Sequence, residues 1–150
     1  FSICISMDNL SIICATMFES SHYEAVKQLL SQLTSRSIVF TEDDYRQLIE
    51  APHSHLFLLF HGGSIVGMLT VGIYLSPTGS KAWIEDVVVD EASRGLGLGR
   101  MLVAHAIDFC RQQQVDTLML TSNPKRIAAN ALYRSLGFEQ KETNVYRMAL

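Results

Sequence analysis

The chain has 150 residues, of which 48% are hydrophobic and 18% are charged, a composition that excludes a disordered chain, a collagen-like repeat and a coiled coil. This length allows one domain, residues 1–150, to bury a core of its own without disulfides or a structural metal. The formal net charge of −3 at pH 7, with no run of like charges, argues against a nucleic-acid partner and against binding to a membrane surface.

The N-terminal segment predicts a strand followed by a helix. A run of β-branched and apolar residues from Ser11 to Phe18 predicts the first strand. The capping-box pattern Ser21-His-Tyr-Glu24 predicts the start of a helix, whose apolar residues recur at helical spacing up to Leu33. Residues 1–6 come before Met7, and we interpret them as an extension that is disordered or artificial.

A second helix and two hairpins follow. A capping box at Thr41-Glu-Asp-Asp44 predicts a short helix that stops before Pro52, and residues 34–40 are expected to form the loop between the two helices. The paired glycines in the turn His61-Gly-Gly-Ser64 predict an antiparallel hairpin, because they tolerate the positive φ of a tight turn. The turn Ser76-Pro-Thr-Gly-Ser80 predicts the next hairpin.

The second arm of that hairpin, residues 82–90, contains the uninterrupted apolar run Val87-Val88-Val89. Such a run is typical of a strand buried on both faces, so we expect this strand at the centre of the sheet. A glycine-rich loop from Arg94 to Arg100 then leads into a helix, with Leu98, Met101, Leu102, Ala106 and Phe109 on its inner face.

The C-terminal segment predicts two further strands around one helix. Residues 117–122 are expected to form a strand. Asn123 and Pro124 predict the cap and the first residue of a helix, which should end at Gly137 in the left-handed conformation. A last strand over residues 144–149 is expected to complete the sheet.

The glycine-rich loop has the composition of an anion-binding site. Glycines at alternate positions between a strand and a helix let backbone N–H groups converge on an anion, and the helix N-terminus with Arg94 and Arg100 adds positive charge. A P-loop would require lysine and serine or threonine at the helix start, where this loop ends Gly99-Arg100-Met101. A dinucleotide-binding fingerprint would require glycine in place of Arg100. A tight turn without any ligand remains an alternative.

Two motifs resemble those of the GNAT superfamily of N-acetyltransferases. Arg94-Gly-Leu-Gly97-Leu-Gly99 matches the family pattern Arg/Gln-x-x-Gly-x-Gly/Ala, and the ten residues from Ala129 to Phe138 match Ala-x-x-Leu/Phe-Tyr-x-x-x-Gly-Phe. The match covers Ala82 to Phe138. The resemblance implies an α/β fold of the mixed α+β type, the GNAT fold. Its central sheet would be mixed and mostly antiparallel, with six to seven strands and helices on both faces.

The resemblance implies acetyl-coenzyme A as the cofactor and no metal. Its pyrophosphate would bind the backbone amides of Arg94 to Arg100, and its pantetheine arm would follow Val87 to Val89. The strands over residues 82–90 and 117–122 would separate around the thioester. Many family members have asparagine seven residues before the tyrosine of the second motif, where this chain has Arg126. The cofactor-binding candidates are Val87, Val88, Val89, Arg94, Gly95, Leu96, Gly97, Leu98, Gly99, Arg100, Arg126, Asn130 and Tyr133.

Two side chains are the catalytic candidates. Glu85 is the predicted base, because an alkylammonium needs a carboxylate to remove its proton near neutral pH. Asp86 would point to the opposite face of a regular strand, so only one of the pair should act unless a bulge intervenes. The strand resembles that of glucosamine-6-phosphate N-acetyltransferases, which leaves open which carboxylate acts, and a solvated strand end is the alternative. The resemblance makes Tyr133 the acid for the leaving thiolate, with core packing as its alternative.

The acceptor is predicted to be a small-molecule primary amine, acetylated by direct transfer in a ternary complex. Tyr74 and Trp83, together with Glu85 and Asp86, are the candidates for binding it, and Arg36 would bind an acidic group on it. An acyl-coenzyme A sensing module without catalysis and a peptide or protein N-acetyltransferase are the alternatives. Dimers through the last strand are common among similar proteins, so a homodimer is also considered.

The remaining reactive residue types form no recognisable site. Cys4, Cys14 and Cys110 fit neither a disulfide framework nor a zinc site, and they are interpreted as small hydrophobes in a reducing, cytoplasmic protein. The five histidines show no metal-ligand spacing, and His105 lies among apolar residues as a structural histidine would. No cysteine lies near the glycine-rich loop, so an acetyl-cysteine intermediate is not expected.

Overall fold

The computed structural model describes residues 9–150, which form two compact units, residues 9–120 and 121–150. The extension predicted for residues 1–6 and Cys4 lie outside the described residues. The first unit contains a mixed five-stranded sheet with helices, and the second contains one helix. The elements are β1 (Leu10–Cys14), α1 (Ser20–Leu33), α2 (Glu42–Glu50), β2 (Ser54–His61), β3 (Ser64–Ser76), β4 (Gly79–Val89), a 3-10 turn (Glu91–Ser93), α3 (Leu98–Gln112), β5 (Thr117–Met119) and α4 (Ile127–Ser135).

The two predicted capping boxes differ in outcome. At α2 the box is confirmed: the Asp44 N–H donates to Thr41 Oγ1 at 3.1 Å, and the Thr41 N–H donates to Asp44 Oδ2 at 2.9 Å. At α1 the predicted box is wrong, because Ser21 and Glu24 already lie inside a helix that begins at Ser20. The cap residue there is Glu19, whose side chain makes no capping hydrogen bond.

The strands lie in the order β1-β2-β3-β4-β5, with antiparallel pairing except between β4 and β5, which are parallel. The mixed, mostly antiparallel sheet is confirmed, but the described residues contain five strands rather than six or seven. The middle strand is β3, so the central position predicted for the β4 segment is wrong. The first predicted hairpin is confirmed, with Gly62 at φ +64° in its turn.

The run Val87-Val88-Val89 is only partly buried, contrary to prediction. Val88 is 5% exposed, whereas Val87 and Val89 are intermediate. Pairing between β4 and β5 covers only Lys81 to Trp83 on β4, so β5 does not cover the valines. Their apolar character therefore does not come from full burial between two neighbouring strands.

Helices cover both faces of the sheet, as expected. One face packs against α1 and α2 in a core that includes Leu56, Leu58, Met68 and Val88. On the other face the Phe57 ring makes edge-on contacts with two rings of α3, at centroid distances of 4.8 Å from His105 and 5.0 Å from Phe109. The predicted inner face of α3 is confirmed for Leu98, Leu102 and Ala106 and also includes the buried Val103 and Cys110.

The second unit contains α4 and an irregular C-terminal segment. The helix begins at Ile127 rather than Pro124, because Asn123 instead forms a turn in which its Oδ1 accepts the Lys125 N–H at 2.9 Å. It ends as predicted at Gly137, whose φ is +100°. The predicted last strand is wrong: residues 144–149 form no strand, and Tyr146 is 89% exposed. A segment forms a strand only where a neighbouring strand pairs with its backbone N–H and C=O groups.

None of the described helices is long and apolar enough to cross a membrane. The two described cysteines are free thiols, Cys110 buried and Cys14 exposed. The exposure of Cys14 corrects its interpretation as a packed hydrophobe, whereas Cys110 fits that interpretation.

Candidate active site

The glycine-rich loop adopts the backbone geometry of an anion cradle. Gly95 and Gly97 have φ values of +82° and +74°, and Gly97 is the left-handed cap of α3. An added Cβ at either glycine would meet no atom within 4 Å, so the space above the loop is open. The N–H groups of Leu98 and Gly99 belong to the first turn of α3, which has no intrahelical acceptors. Anions bind favourably at such a helix end.

The entrance to this loop is held by hydrogen bonds from two directions. Arg94 donates its Nε to the Val89 carbonyl at 3.3 Å, which connects the loop to the end of β4. From α1, Gln32 donates its Nε2 to Asp90 Oδ1 at 2.7 Å and accepts the Glu91 N–H at 2.9 Å. The sequence gives no signal for Gln32, since a polar residue in the last turn of a helix is ordinarily solvated.

A β-bulge lies at the two candidate carboxylates of β4. Thr70 pairs with Glu85 and Met68 pairs with Val88, so β4 has one more residue than β3 in this interval. Asp86 is the extra residue of the bulge, and its φ is +52°. A bulge is what would allow Glu85 and Asp86 to serve one site, and a bulge is present. Such bulges re-aim side chains and are frequent beside active sites.

The electrostatics of the pair follow from this geometry. Glu85 and Asp86 are both exposed at the level of the whole residue. Partial desolvation of the Glu85 carboxyl raises its pKa above the ordinary value, and the negative charge of Asp86 raises it further. A carboxylate with a raised pKa is better matched to proton transfer near neutral pH.

The edge of β4 facing β5 opens immediately before the bulge. The last paired residues are Trp83 and Met119, and β4 continues unpaired on that side to Val89. The separation of these strands is thus as expected, although β5 is shorter than the predicted residues 117–122. Val87 and Val88 therefore lie beyond the part of β4 that pairs with β5.

In the second unit, Tyr133 is held by the end of α4. The Phe138 N–H donates to the Tyr133 carbonyl and the Gly137 N–H donates to the Arg134 carbonyl, both at 3.0 Å, which is a Schellman motif. The Phe138 ring lies 6.1 Å from the Tyr133 ring in an edge-on arrangement. Tyr133 is 7% exposed, and its hydroxyl has no hydrogen-bond partner among residues 9–150.

Arg126 and Asn130 form the start of the same helix. Asn130 donates its Nδ2 hydrogens to the carbonyls of Asn123, at 2.9 Å, and Arg126, at 2.8 Å. Both donors of the Asn130 amide are thereby used inside the unit, so only its oxygen remains for a ligand. Arg126 is the cap residue of α4 and is exposed.

The candidates for acceptor binding occupy two places in the first unit. Tyr74 and Trp83 lie on neighbouring strands, and Trp83 Nε1 donates to the Tyr74 hydroxyl at 3.4 Å. Arg36 is exposed in the loop after α1, where its N–H donates to Thr34 Oγ1 at 3.2 Å. Within residues 9–150, no group of three or more histidine, cysteine or acidic side chains could hold a metal ion.

Comparisons with known proteins agree on one family. A sequence model described as the Acetyltransferase (GNAT) family matches residues 23–138. N-alpha-acetyltransferase RimI of Mycobacterium tuberculosis is 31% identical over 96 residues, which are 64% of this chain and 59% of that protein. Mycothiol acetyltransferase of Thermobispora bispora is 33% identical over 92 residues, which are 59% of this chain and 31% of that protein. A solved structure, a putative acetyltransferase from Agrobacterium tumefaciens, has a TM-score of 0.82 and 26% identity, covering 93% of this chain and 99% of that chain.

Proposed function

The chain belongs to the GNAT family of acetyltransferases, and from this we propose that it transfers an acetyl group from acetyl-coenzyme A to a primary amine. The transfer is direct, within a ternary complex, and the acceptor is a small molecule. The observation that carries this proposal is the β4 bulge, with a carboxylate of raised pKa beside an open strand edge. The curated relatives are matched over less than two thirds of their length, so their own substrates are not assigned to this chain.

The residues of the glycine-rich loop fit the pyrophosphate of coenzyme A. The positive φ values of Gly95 and Gly97 turn the backbone without side chains in the open space, and α3 adds the partial positive charge of its first turn. Backbone amides of residues 94–100 would hold the phosphates, with Arg94 and Arg100 adjacent. Val87 to Val89 would hold the pantetheine arm. When bound, acetyl-coenzyme A supplies an activated acetyl group on a thiolate leaving group.

The chain's own groups supply the proton transfers. Glu85, acting directly or through a water, accepts a proton from the ammonium so that the neutral amine can attack. Backbone N–H groups near Val87 stabilise the negative charge that develops on the carbonyl oxygen. The Tyr133 hydroxyl donates a proton to the departing sulfur, and the absence of a hydrogen-bond partner for it among residues 9–150 supports this role. Asp86 acts on Glu85 through its charge.

The test is thiol release from acetyl-coenzyme A in the presence of polyamines, amino sugars, amino acids and short peptides. We expect turnover on one acceptor class, and Tyr133→Phe should slow it about ten- to a few hundredfold, because thiolate leaves tolerably without an acid. Glu85→Gln should lower kcat/KM by a larger factor, about 10²–10⁴. Tyr146→Phe and Glu50→Gln, changes of the same kind at exposed positions, should leave turnover unchanged.

The outcomes separate catalysis from sensing. If no acceptor releases thiol while calorimetry still detects coenzyme A binding, the sensing module replaces the enzyme. A failure to bind coenzyme A at all contradicts the assignment of the glycine-rich loop. If Tyr133→Phe retains full turnover, the buried ring has only a packing role.

A peptide or protein N-terminus is the second candidate acceptor. It is favoured by the likeness to N-alpha-acetyltransferase RimI, whose name specifies an α-amine. The acceptor panel distinguishes the two candidates, since short peptides and small amines are offered separately. Turnover restricted to peptides with a free N-terminus would select this alternative.

A further inference from the structure

Gly72 is a glycine that neither the fold nor the packing of the sheet requires. It lies inside β3, paired with Ser54 and Trp83, and its φ is not positive. An added Cβ would meet no atom within 4 Å. Gly67 on the same strand differs, since a Cβ there would lie 3.0 Å from Leu102 Cδ1. Glycine weakens a strand, and inside one it often marks a bulge, a bend, or a place where a ligand or another backbone approaches closely.

The register places Gly72 on the same face of the sheet as the candidate base. Glu85 pairs with Thr70 and Trp83 pairs with Gly72, and paired residues share a face. Met68, two residues before Thr70 and on the same face, is 3% exposed in the core beneath α1 and α2. Gly72 is half-buried and Tyr74, two residues further, is 46% exposed. The open space above Gly72 therefore lies just beyond the helix-covered core and next to Glu85.

The chemistry around this space is aromatic and anionic. Trp83 on β4 pairs with Gly72. Its hydrogen bond to the Tyr74 hydroxyl connects the two rings, so both line the same side of the space above Gly72. Glu85, two residues after Trp83 on β4, shares this face and carries a carboxylate. Lys81 shares this face, but its Nζ donates to Ser76 and Thr78 in the hairpin turn. Aromatic faces and carboxylates attract cations. A strand surface without a side chain leaves room for an extended alkyl chain.

We infer that Gly72 is the floor of an acceptor subsite that takes a primary alkylammonium, with its methylene chain on Gly72 and its charge toward Glu85. This inference rests on the proposed function and names the class of acceptor for it. The absent side chain at Gly72 is the specificity determinant, because any larger residue would occupy the position of the alkyl chain.

The chain's single tryptophan gives a readout that does not depend on catalysis. Because Trp83 is the only tryptophan in the sequence and borders the subsite, its fluorescence reports on ligands above Gly72. Titration with n-pentylamine and 1,5-diaminopentane should change the emission of the wild-type protein, whereas 1-pentanol should bind at least tenfold more weakly. In Gly72→Val the same amines should lose at least tenfold in affinity, with Gly72→Ala between the two.

The controls separate loss of the subsite from loss of the fold. Valine is favoured in strands, so Gly72→Val should keep or raise the melting temperature while binding of the amine falls. Coenzyme A binding measured by calorimetry should stay within twofold of wild type, and Gly63→Ala, in an open turn position, should leave amine binding unchanged. With an acceptor that is turned over, KM should rise in Gly72→Val more than kcat falls.

Two results would overturn the inference. One is equal amine binding by Gly72→Val and the wild type, and the other is equal binding of 1-pentanol and the amines. Either result is independent of the proposed function, which fails instead when the wild type neither binds coenzyme A nor releases thiol.

Discussion

At the scale of single residues, Asp86 has two effects on the candidate base. Its left-handed backbone produces the bulge that keeps Glu85 on the face of Thr70. Its carboxylate also adds to the desolvation that raises the pKa of Glu85. Left-handed geometry disfavours most residues other than glycine, asparagine and aspartate, so the backbone restricts which side chains can stand here. Geometry and charge can therefore be separated by substituting asparagine.

Asp86→Asn should shift the acid limb of the activity profile to lower pH. Asparagine accepts the left-handed backbone but carries no charge, so the pKa of Glu85 should fall toward its ordinary value. Because the base acts in its deprotonated form, activity is lost as pH falls through this pKa, and a lower pKa extends activity to lower pH. The measurement is kcat/KM against pH for both proteins. An acid limb that stays in place, or moves to higher pH, would show that Asp86 does not act on the base.

At the scale of elements, the C-terminal end of α1 is connected to the start of the glycine-rich loop. Gln32 uses both its amide nitrogen and its amide oxygen, on Asp90 and on the Glu91 N–H. The Asp90 N–H is in turn held by the Val66 carbonyl of β3 at 2.8 Å. This network fixes where the chain leaves β4 at Val89, five residues before Arg94. We therefore assign Gln32 a positioning role for the anion cradle.

Gln32→Ala should weaken coenzyme A binding without unfolding the protein. Two hydrogen bonds, each contributing about 0.5–1.5 kcal/mol, hold the loop entrance, so the Kd of coenzyme A should rise up to about tenfold. Gln32→Glu should also weaken binding, because a carboxylate cannot donate to Asp90 and repels it. The matched control is Gln28→Ala on the exposed side of the same helix, and calorimetry measures all three variants. If Gln32→Ala lowers only the melting temperature and leaves the Kd unchanged, the contact is purely structural.

Elements whose signals are local could be predicted from the sequence. The capping box at Thr41, the glycine turn at Gly62 and the terminator at Gly137 each determine their own backbone, and all three are confirmed. The full length of β5 and the strand over residues 144–149 were wrong, because strands depend on partners distant in sequence. The capping box at α1 was a local signal that was also wrong, since the helix begins at Ser20 and Glu19 makes no capping hydrogen bond. Periodicity alone cannot tell whether a neighbouring strand exists.

The candidate site divides in the same way. The glycine-rich loop and Tyr133 could be proposed as site residues from the sequence because their motifs are contiguous, whereas Gln32 and Gly72 have no sequence signature. The β4 bulge lies between these two cases. The sequence suggested that a bulge was needed for both carboxylates to act together, but only the pairing of Thr70 with Glu85 reveals it. Register is a property of two strands, and a single strand's sequence does not contain it.

At the scale of the whole molecule, the negative net charge means that an anionic cofactor has to be bound by groups close to it. The chain carries a net charge of −3, so its overall field does not attract a ligand bearing phosphates. Binding must then come from short-range donors, and the first turn of α3 with the adjacent loop is the candidate that the described residues offer. Local hydrogen bonds to charged groups are shorter and stronger than neutral ones, which compensates for the unfavourable net charge.

Ligand-induced stabilisation tests this balance on the intact protein. At coenzyme A concentrations of about 100 times Kd, binding should stabilise the fold by about 2.7 kcal/mol. For a chain of this size each kcal/mol corresponds to roughly 2–4 °C, so we expect the melting temperature to rise by about 5–11 °C. Pantetheine, which lacks the phosphates that we propose the glycine-rich loop binds, should raise it much less at the same concentration. Equal shifts from coenzyme A and pantetheine would mean that the open edge of β4, and not the glycine-rich loop, provides the binding energy.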